Sequence, residues 1–404
     1  MNPGPDSAGG LGTVVVVGAS LAGLRAVETL RRDGFAGRLF LVGAEEHFPP
    51  YDRPPLSKEV LTGAWEPERA RLRIDDGLDV ELLLGRRAVA LDLGRREVTL
   101  AGGEALGFDG LVVATGAAPR RLAGVDDGLG GVAVLRTVED CLALRDELDK
   151  EPAVVVIGAG FIGCEVASAC RSRGLEVTVV EALPLPLVRV LGQEMSEMVV
   201  GLHRDHGVGF RLGVPVAGLR GSGRVEEVLL GGGTALPADL VVVAMGVVPE
   251  TGWLAGSGLA IGDGVLLDES CTAVGVDRVV AAGDVARWHN PVFGESMRVE
   301  HWTNAAEQGE AAASSLLRGR EAAEAFRPVP YFWSDQHGSR IQFVGVPGEA
   351  VRIVEGAVAE RRLVAAYGHN GRIVGALCLN WPARTIPYRR LVEEGAPFPT
   401  GSAA

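Results

Sequence analysis

Val14-Val-Val-Val-Gly18-Ala-Ser20-Leu-Ala-Gly23 recurs as Val154-Val-Val-Ile-Gly158-Ala-Gly160-Phe-Ile-Gly163, and both copies run on without a gap, to Gly34 and Gly174. Each is a short β-branched run, a glycine turn and a helical stretch, the strand–turn–helix that receives a dinucleotide pyrophosphate. One such unit is a common fold element. Two in a chain of 404 residues call for two dinucleotides, most simply a flavin and a nicotinamide, and so for a protein that moves electrons.

The second turn has all three glycines. Gly158 permits the tight turn, Gly160 lets the backbone approach the pyrophosphate, and Gly163 lets helix and strand pack closely. In the first turn Ser20 replaces the middle glycine, a small polar intrusion that can itself donate to phosphate. Glu181 ends the strand after the second helix, where a carboxylate accepts from a ribose 2′-hydroxyl and repels a 2′-phosphate. Two like charges ~4 Å apart cost about 1 kcal/mol in water and about 4 kcal/mol at an effective dielectric of 20, so NADH is expected over NADPH. The alternative is a solvated strand-end charge. The comparable place in the first unit is Val42-Gly-Ala44-Glu45-Glu46, which makes Glu45 the candidate ribose ligand, or else a solvated loop residue.

Beyond the turns, the pattern predicts strand 13–17, helix 21–33 and strand 38–42, then strand 153–157, helix 161–173 and strand 175–180. Phe108 to Gly116 and Leu236 to Gly246 are matching strands that end at glycine turns. Asp277 to Asp284 has no counterpart in the second unit and is assigned to the first domain. That makes an interrupted FAD-binding domain (1–117 and 247–326), an inserted NAD-binding domain (118–246) and a C-terminal domain (327–404). A helix over 303–318 closes the first domain. Tyr331-Phe-Trp333, Arg340 to Val344, Arg361 to Tyr367 and Arg372 to Leu379 read as a small antiparallel sheet. The fold class is α/β, with two Rossmann-type domains and a small C-terminal α+β domain.

With 47% apolar residues and 23% charge the composition is that of a soluble globular protein. No apolar stretch approaches the ~20 residues of a membrane helix, and Met1 to Gly12 reads as a disordered lead-in without signal-peptide character; a cytoplasmic, monomeric or weakly dimeric protein is expected. A net charge of −13 argues against a nucleic-acid partner. Cys141, Cys164, Cys170, Cys271 and Cys378 form no CxxC pair, and reduced, buried thiols are expected. No metal site is expected: His203 and His206 lie three apart on a helix with no third ligand following.

Pro50-Tyr-Asp52-Arg53-Pro54-Pro55-Leu56-Ser57-Lys58 identifies the flavoprotein type. Together with Ala114-Thr115-Gly116, Leu135-Arg136-Thr137, Ala282-Gly283-Asp284, Glu300-His301-Trp302 and Phe332-Trp333-Ser334-Asp335-Gln336, it resembles the FAD-dependent NADH:ferredoxin reductases of the putidaredoxin reductase and rhodocoxin reductase type. The resemblance spans about residues 13–382 and implies a glutathione-reductase-like architecture. It implies an FAD site lined by Gly18, Ser20, Ala22, Gly23, Arg53, Lys58, Val89, Thr115, Gly116, Arg136, Asp284 and Trp302, to which Glu45 and Gly283 are added as candidates from their places in the sequence. It implies an NADH site at Gly158, Gly160, Ile162, Gly163, Glu181 and Gly246.

The same resemblance implies that Lys58 projects toward the flavin and pairs with Glu165, a cation that steadies charge on the reduced ring. Without it, the two read as a surface lysine and an exposed helix glutamate. Asp284 is expected to accept from the ribityl hydroxyls, with a helix N-cap as its plain structural role. No cysteine precedes Cys141, so the thiol pair of disulfide reductases is missing and electrons must leave the flavin directly. The implied acceptor is a [2Fe-2S] ferredoxin serving a haem-thiolate monooxygenase or ring-hydroxylating dioxygenase. Its docking is electrostatic, with Arg73 and Trp333 as candidates beside Arg69, Arg71, Arg318 and Arg320. Rubredoxin reductase, NADH oxidase and a redox-sensing module related to apoptosis-inducing factor are the alternatives.

Overall fold

The computed structural model describes residues 10–46, 50–125 and 128–399. The lead-in expected over Met1 to Gly12 lies, up to residue 9, outside them. The chain forms two compact units. One contains residues up to Asp52, Ala70–Ala118 and Val248–Pro330; the other contains Arg53–Arg69, Pro119–Val247 and the chain from Tyr331 onward.

The first unit is built on a five-stranded parallel sheet in the order Val279–Ala281, Gly110–Val113, Thr13–Val17, Arg38–Val42, Glu81–Leu83. Val14 to Val17 are all buried, because a central parallel strand is covered on both faces and is apolar throughout. Val279–Ala281, which the repeat left unpaired, joins this sheet at its edge. Helices Leu21–Arg32 and Trp302–Arg318 pack tightly together. A Cβ on Gly309 would stand 2.4 Å from the Ala22 carbonyl oxygen, so the crossing requires glycine there. An antiparallel meander, Ala88–Asp92, Glu97–Leu100 and Ala105–Gly107, buries Leu91, Val98 and Leu100 in the same core.

In the second unit a parallel sheet runs Gly209–Leu212, Val177–Glu181, Val154–Ile157, Leu240–Val243, Val132–Ala133. Helix Phe161–Ser172 follows the glycine turn. The C-terminal sheet is antiparallel, in the order Tyr331–Gln336, Ser339–Gly345, Arg372–Leu379, Arg362–His369, Ala350–Ala357. Ala350–Ala357 escaped the sequence reading because a register shift between Ile353 and Glu355 interrupts the alternation that marks a strand. The first two strands join through His337 (φ 50°) and Gly338 (φ 73°), a two-residue hairpin with both residues left-handed. Helix Val188–Asp205 is broken at Gly192 (φ 72°), beside which Tyr367 donates its hydroxyl to the Leu191 carbonyl at 2.7 Å.

Candidate active site

In the second unit the glycines divide by cause. A Cβ on Gly158 would lie 2.4 Å from Ala244 O, and one on Gly163 would lie 2.1 Å from Gly158 O, whereas one on Gly160 meets nothing within 4 Å. Gly158 and Gly163 are therefore required by the protein's own packing. Gly160 faces open space, as does Gly246 (φ 83°) at the end of the neighbouring strand. Both lie beyond the carboxyl ends of parallel strands, where α/β sheets bind ligands. Helix Phe161–Ser172 carries no acid in its first turn and no side-chain cap, which leaves its amide donors for an anion. Ile162 is 46% exposed at this mouth, an apolar surface suited to a covering ligand. These residues fit a dinucleotide.

Glu181 has a second duty that its position alone did not reveal. Its carboxylate accepts from the amides of Ala159 and Leu183, both at 2.9 Å, and so ties the glycine turn to the chain leaving the strand. Each oxygen keeps a further lone pair for a ribose hydroxyl.

The first unit repeats the arrangement. Gly18 (φ 121°) and Gly23 would bring a Cβ within 2.0 Å of Ala114 O and 1.9 Å of Gly18 O. Ser20, the N-cap of helix Leu21–Arg32, makes no capping hydrogen bond, and that helix too lacks an acid in its first turn. The Glu45 carboxylate accepts the Tyr51 hydroxyl. Thr115 Oγ1 donates to Glu250 O at 2.8 Å, beside Gly116 (φ 68°). Trp302 Nε1 donates to Asp52 Oδ1 at 2.7 Å, which ties the start of helix Trp302–Arg318 to the Tyr-Asp run. Val89 lies on the meander and is 47% exposed. Asp284 sits inside the single 3-10 turn Gly283–Val285, whose N-cap is Ala282; the N-cap role expected for it is therefore corrected. The turn begins two residues earlier, with Gly283 (φ 78°) as its first residue.

Arg53 Nη1 donates to Arg136 O at 2.6 Å in the second unit. Arg136 immediately precedes a capping box, in which Thr137 and Asp140 bond reciprocally at the start of helix Val138–Leu148. Lys58 Nζ lies 2.7 Å from Glu165 Oε2, with side chains 12% and 3% exposed, and neither is the surface charge that the bare sequence allows. The lysine also donates to Pro54 O at 3.1 Å and Ser57 Oγ at 3.4 Å. Three acceptors thus surround an ammonium with three N–H bonds, a match that the planar fork of arginine does not provide. The chain has only two lysines, Lys58 and Lys150, among its 39 Lys and Arg residues. Ser57 also donates to Glu165.

All five thiols are free and buried. Burial pushes Cys141, Cys164, Cys170 and Cys271 up to about 12 and Cys378 up to about 11. Thiolates are the reactive form, so all five are inert at neutral pH. The structure also brings His337 to the His203 and His206 pair: His337 Nε2 lies 3.0 Å from His203 Nδ1, and its ring stacks on His206 at 4.2 Å. The separation in sequence concealed this. The rings bond and stack with one another, and no metal-holding group of three His, Cys, Asp or Glu occurs among the described residues. Burial, with Asp284 opposing, lowers His301 to about 4, so it is neutral at the start of its helix.

Of the docking candidates, Arg318 pairs with Glu324, and Arg320 pairs with Asp268 and Asp277; both are occupied structurally. Arg69, Arg71 and Arg73 are exposed, with Arg69 stacked 4.1 Å over the Trp65 ring. Trp333 stacks on Tyr331 at 6.0 Å. Among the described residues, no helix is long and apolar enough to cross a membrane.

Residues 12–309 match the pyridine nucleotide-disulphide oxidoreductase family, and residues 331–404 match the reductase C-terminal family. The chain belongs to the pyridine nucleotide-disulphide oxidoreductases. It is 36% identical to a ferredoxin–NAD(P)+ reductase of Sphingomonas sp. over 95% of this chain and 93% of the relative. It is 34% identical to rhodocoxin reductase of Rhodococcus erythropolis over 97% of this chain and 92% of the relative. Among solved structures, the covalent putidaredoxin reductase–putidaredoxin complex superposes with a TM-score of 0.90 at 31% identity, covering 95% of this chain and 94% of that one.

Proposed function

We propose that the protein is an NADH-dependent ferredoxin reductase, with a [2Fe-2S] ferredoxin of an oxygenase system as its acceptor. The observation that carries this reading is the buried state of all five thiols. They remove disulfide chemistry from a chain that otherwise has the family's two dinucleotide turns, and an external one-electron carrier takes its place. When bound, FAD supplies the chemistry that takes a hydride from NADH and releases the electrons singly.

The chain's own residues bind and orient. The turns at Gly18 and Gly158 present helix N-termini to the two pyrophosphates. Glu181 favours NADH through its charge. Lys58 and Glu165 form a fixed, mostly buried charge pair, whose ammonium stabilises negative charge close by without reorganising. Arg73 and Trp333 remain the proposed docking contacts. A cytosolic setting suits five reduced thiols.

The test is NADH-driven reduction of a [2Fe-2S] ferredoxin by the FAD-loaded protein, with a small disulfide as the competing acceptor. Ferredoxin-dependent turnover well above disulfide reduction is expected, and the reverse order refutes the reading. Lys58→Ala, checked for retained FAD by its visible absorbance, should slow flavin reduction by at least tenfold in stopped flow. An unchanged rate removes the lysine from the mechanism.

A further inference from the structure

Glu165 is held on both sides. Lys58 and Ser57 occupy Oε2, and Ser334 Oγ stands 2.5 Å from Oε1. An ionised carboxylate only accepts, so the Ser334 proton points at Glu165 and its oxygen must accept from elsewhere. That donor is Gln336 Nε2, at 2.9 Å. The amide orientation follows, and Gln336 Oε1 faces His203 Nε2 at 2.8 Å. His203 therefore carries its proton on Nε2, which leaves Nδ1 as the acceptor for His337 Nε2–H at 3.0 Å. Burial lowers both histidines, His337 to about 3, and neutral rings are what this sequence of bonds needs. Strand alternation sets the pattern: Ser334 and Gln336 are buried, while Asp335 between them is not.

We propose that Ser334, Gln336, His203 and His337 form a one-way hydrogen-bond relay that positions Glu165 and holds it as an anion for Lys58. This rests on the reading of Lys58 and Glu165 above and extends it to four residues outside both glycine turns. Every donor points toward the carboxylate, so the bond dipoles add. Gln336 makes the relay a positioning device rather than a proton path, since an amide does not readily pass a proton on. The relay ends at the left-handed hairpin turn, and a cleft of about 420 Å³ is lined by both its ends. The charged and titratable groups around it are Lys58, Glu59, Arg171, His206 and Asp335 in the cleft, with Arg361 also acting on His337.

The two-lysine content makes the test direct. In the FAD-loaded full chain, labelling lysine with 13C at Cε leaves two signals, and the 61% exposed Lys150 is the internal reference. At pH 7 pairing with Glu165 sets the Lys58 signal apart from that of Lys150. Loss of a donor loosens the carboxylate that holds the ammonium. Ser334→Ala and Gln336→Leu should therefore move the Lys58 signal toward that of Lys150, while Ser334→Thr keeps the wild-type position. A second measurement needs no variant: long-range 15N spectra at pH 7 should show His203 and His337 neutral, each protonated on Nε2. A Lys58 signal unmoved in both variants, or a His203 proton on Nδ1, overturns the proposal. Neither readout uses turnover, so failure here is distinguishable from failure of the ferredoxin reductase reading.

Discussion

Glu181 is proposed to combine two roles in one side chain. Its oxygens hold the amides of Ala159 and Leu183, and its charge is proposed to repel a 2′-phosphate. Glu181→Gln removes the charge and also turns an NH2 group toward a backbone N–H. An unsatisfied buried donor costs about 1–3 kcal/mol. The variant is expected to lose its preference for NADH over NADPH and to unfold at lower urea concentration. Steady-state kcat/KM for both nucleotides and an unfolding curve check the two effects separately. A variant that loses the nucleotide preference with unchanged stability would show that the amide contacts carry no weight.

Among the helices and hairpins, the crossing of Leu21–Arg32 and Trp302–Arg318 depends on Gly309. Ala in place of Gly within a helix ordinarily gains up to about 1 kcal/mol. Here the added Cβ meets a backbone oxygen at 2.4 Å, and overpacking costs about 1–3 kcal/mol. Gly309→Ala should destabilise the protein by denaturant unfolding and weaken FAD retention, since Ala22 lies on the helix that begins at the first turn. The hairpin after Gln336 carries a pH dependence. Burial and neighbouring cations lower His337 to about 3, and burial lowers His203. The native state then binds fewer protons than the unfolded chain, whose histidines titrate near 6.5, so stability rises with pH through this interval. Their contribution is complete above about pH 6.5 and is lost as pH falls toward the folded values. His337→Asn suits the left-handed turn and should flatten the fall in urea midpoint between pH 7 and 5. An identical fall in the variant would assign the effect to other groups.

For the protein as one body of charge and thiols, these two properties decide which reactions are open. Five buried thiols pushed to about 11 or 12 should leave iodoacetamide without effect on ferredoxin reduction at pH 7.5. Inactivation that tracks modification of one cysteine would restore a thiol to the mechanism. A net charge of −13 leaves an acidic ferredoxin dependent on local basic surface. Arg69, Arg71 and Arg73 are exposed and are the proposed contacts; Arg318 and Arg320 pair with acids of their own unit.

The two glycine turns, the strands and helices beside them, the α/β class and the absence of cysteine before Cys141 could all be read from residue order. They depend on local rules: β-branched runs, left-handed glycine steps and helix starts need only near neighbours. Ala350–Ala357 escaped because its bulge breaks the alternation, and the N-cap assigned to Asp284 falls two residues earlier, at Ala282. Apart from the Lys58–Glu165 pair, which the family resemblance implied, which distant polar groups share a buried space emerged only from the folded chain. Lys58, Glu165, His203 and Ser334 come from four separate stretches of chain and meet in one buried chain of hydrogen bonds. Desolvation and hydrogen bonding act through distance in space, and no periodicity along the chain encodes them.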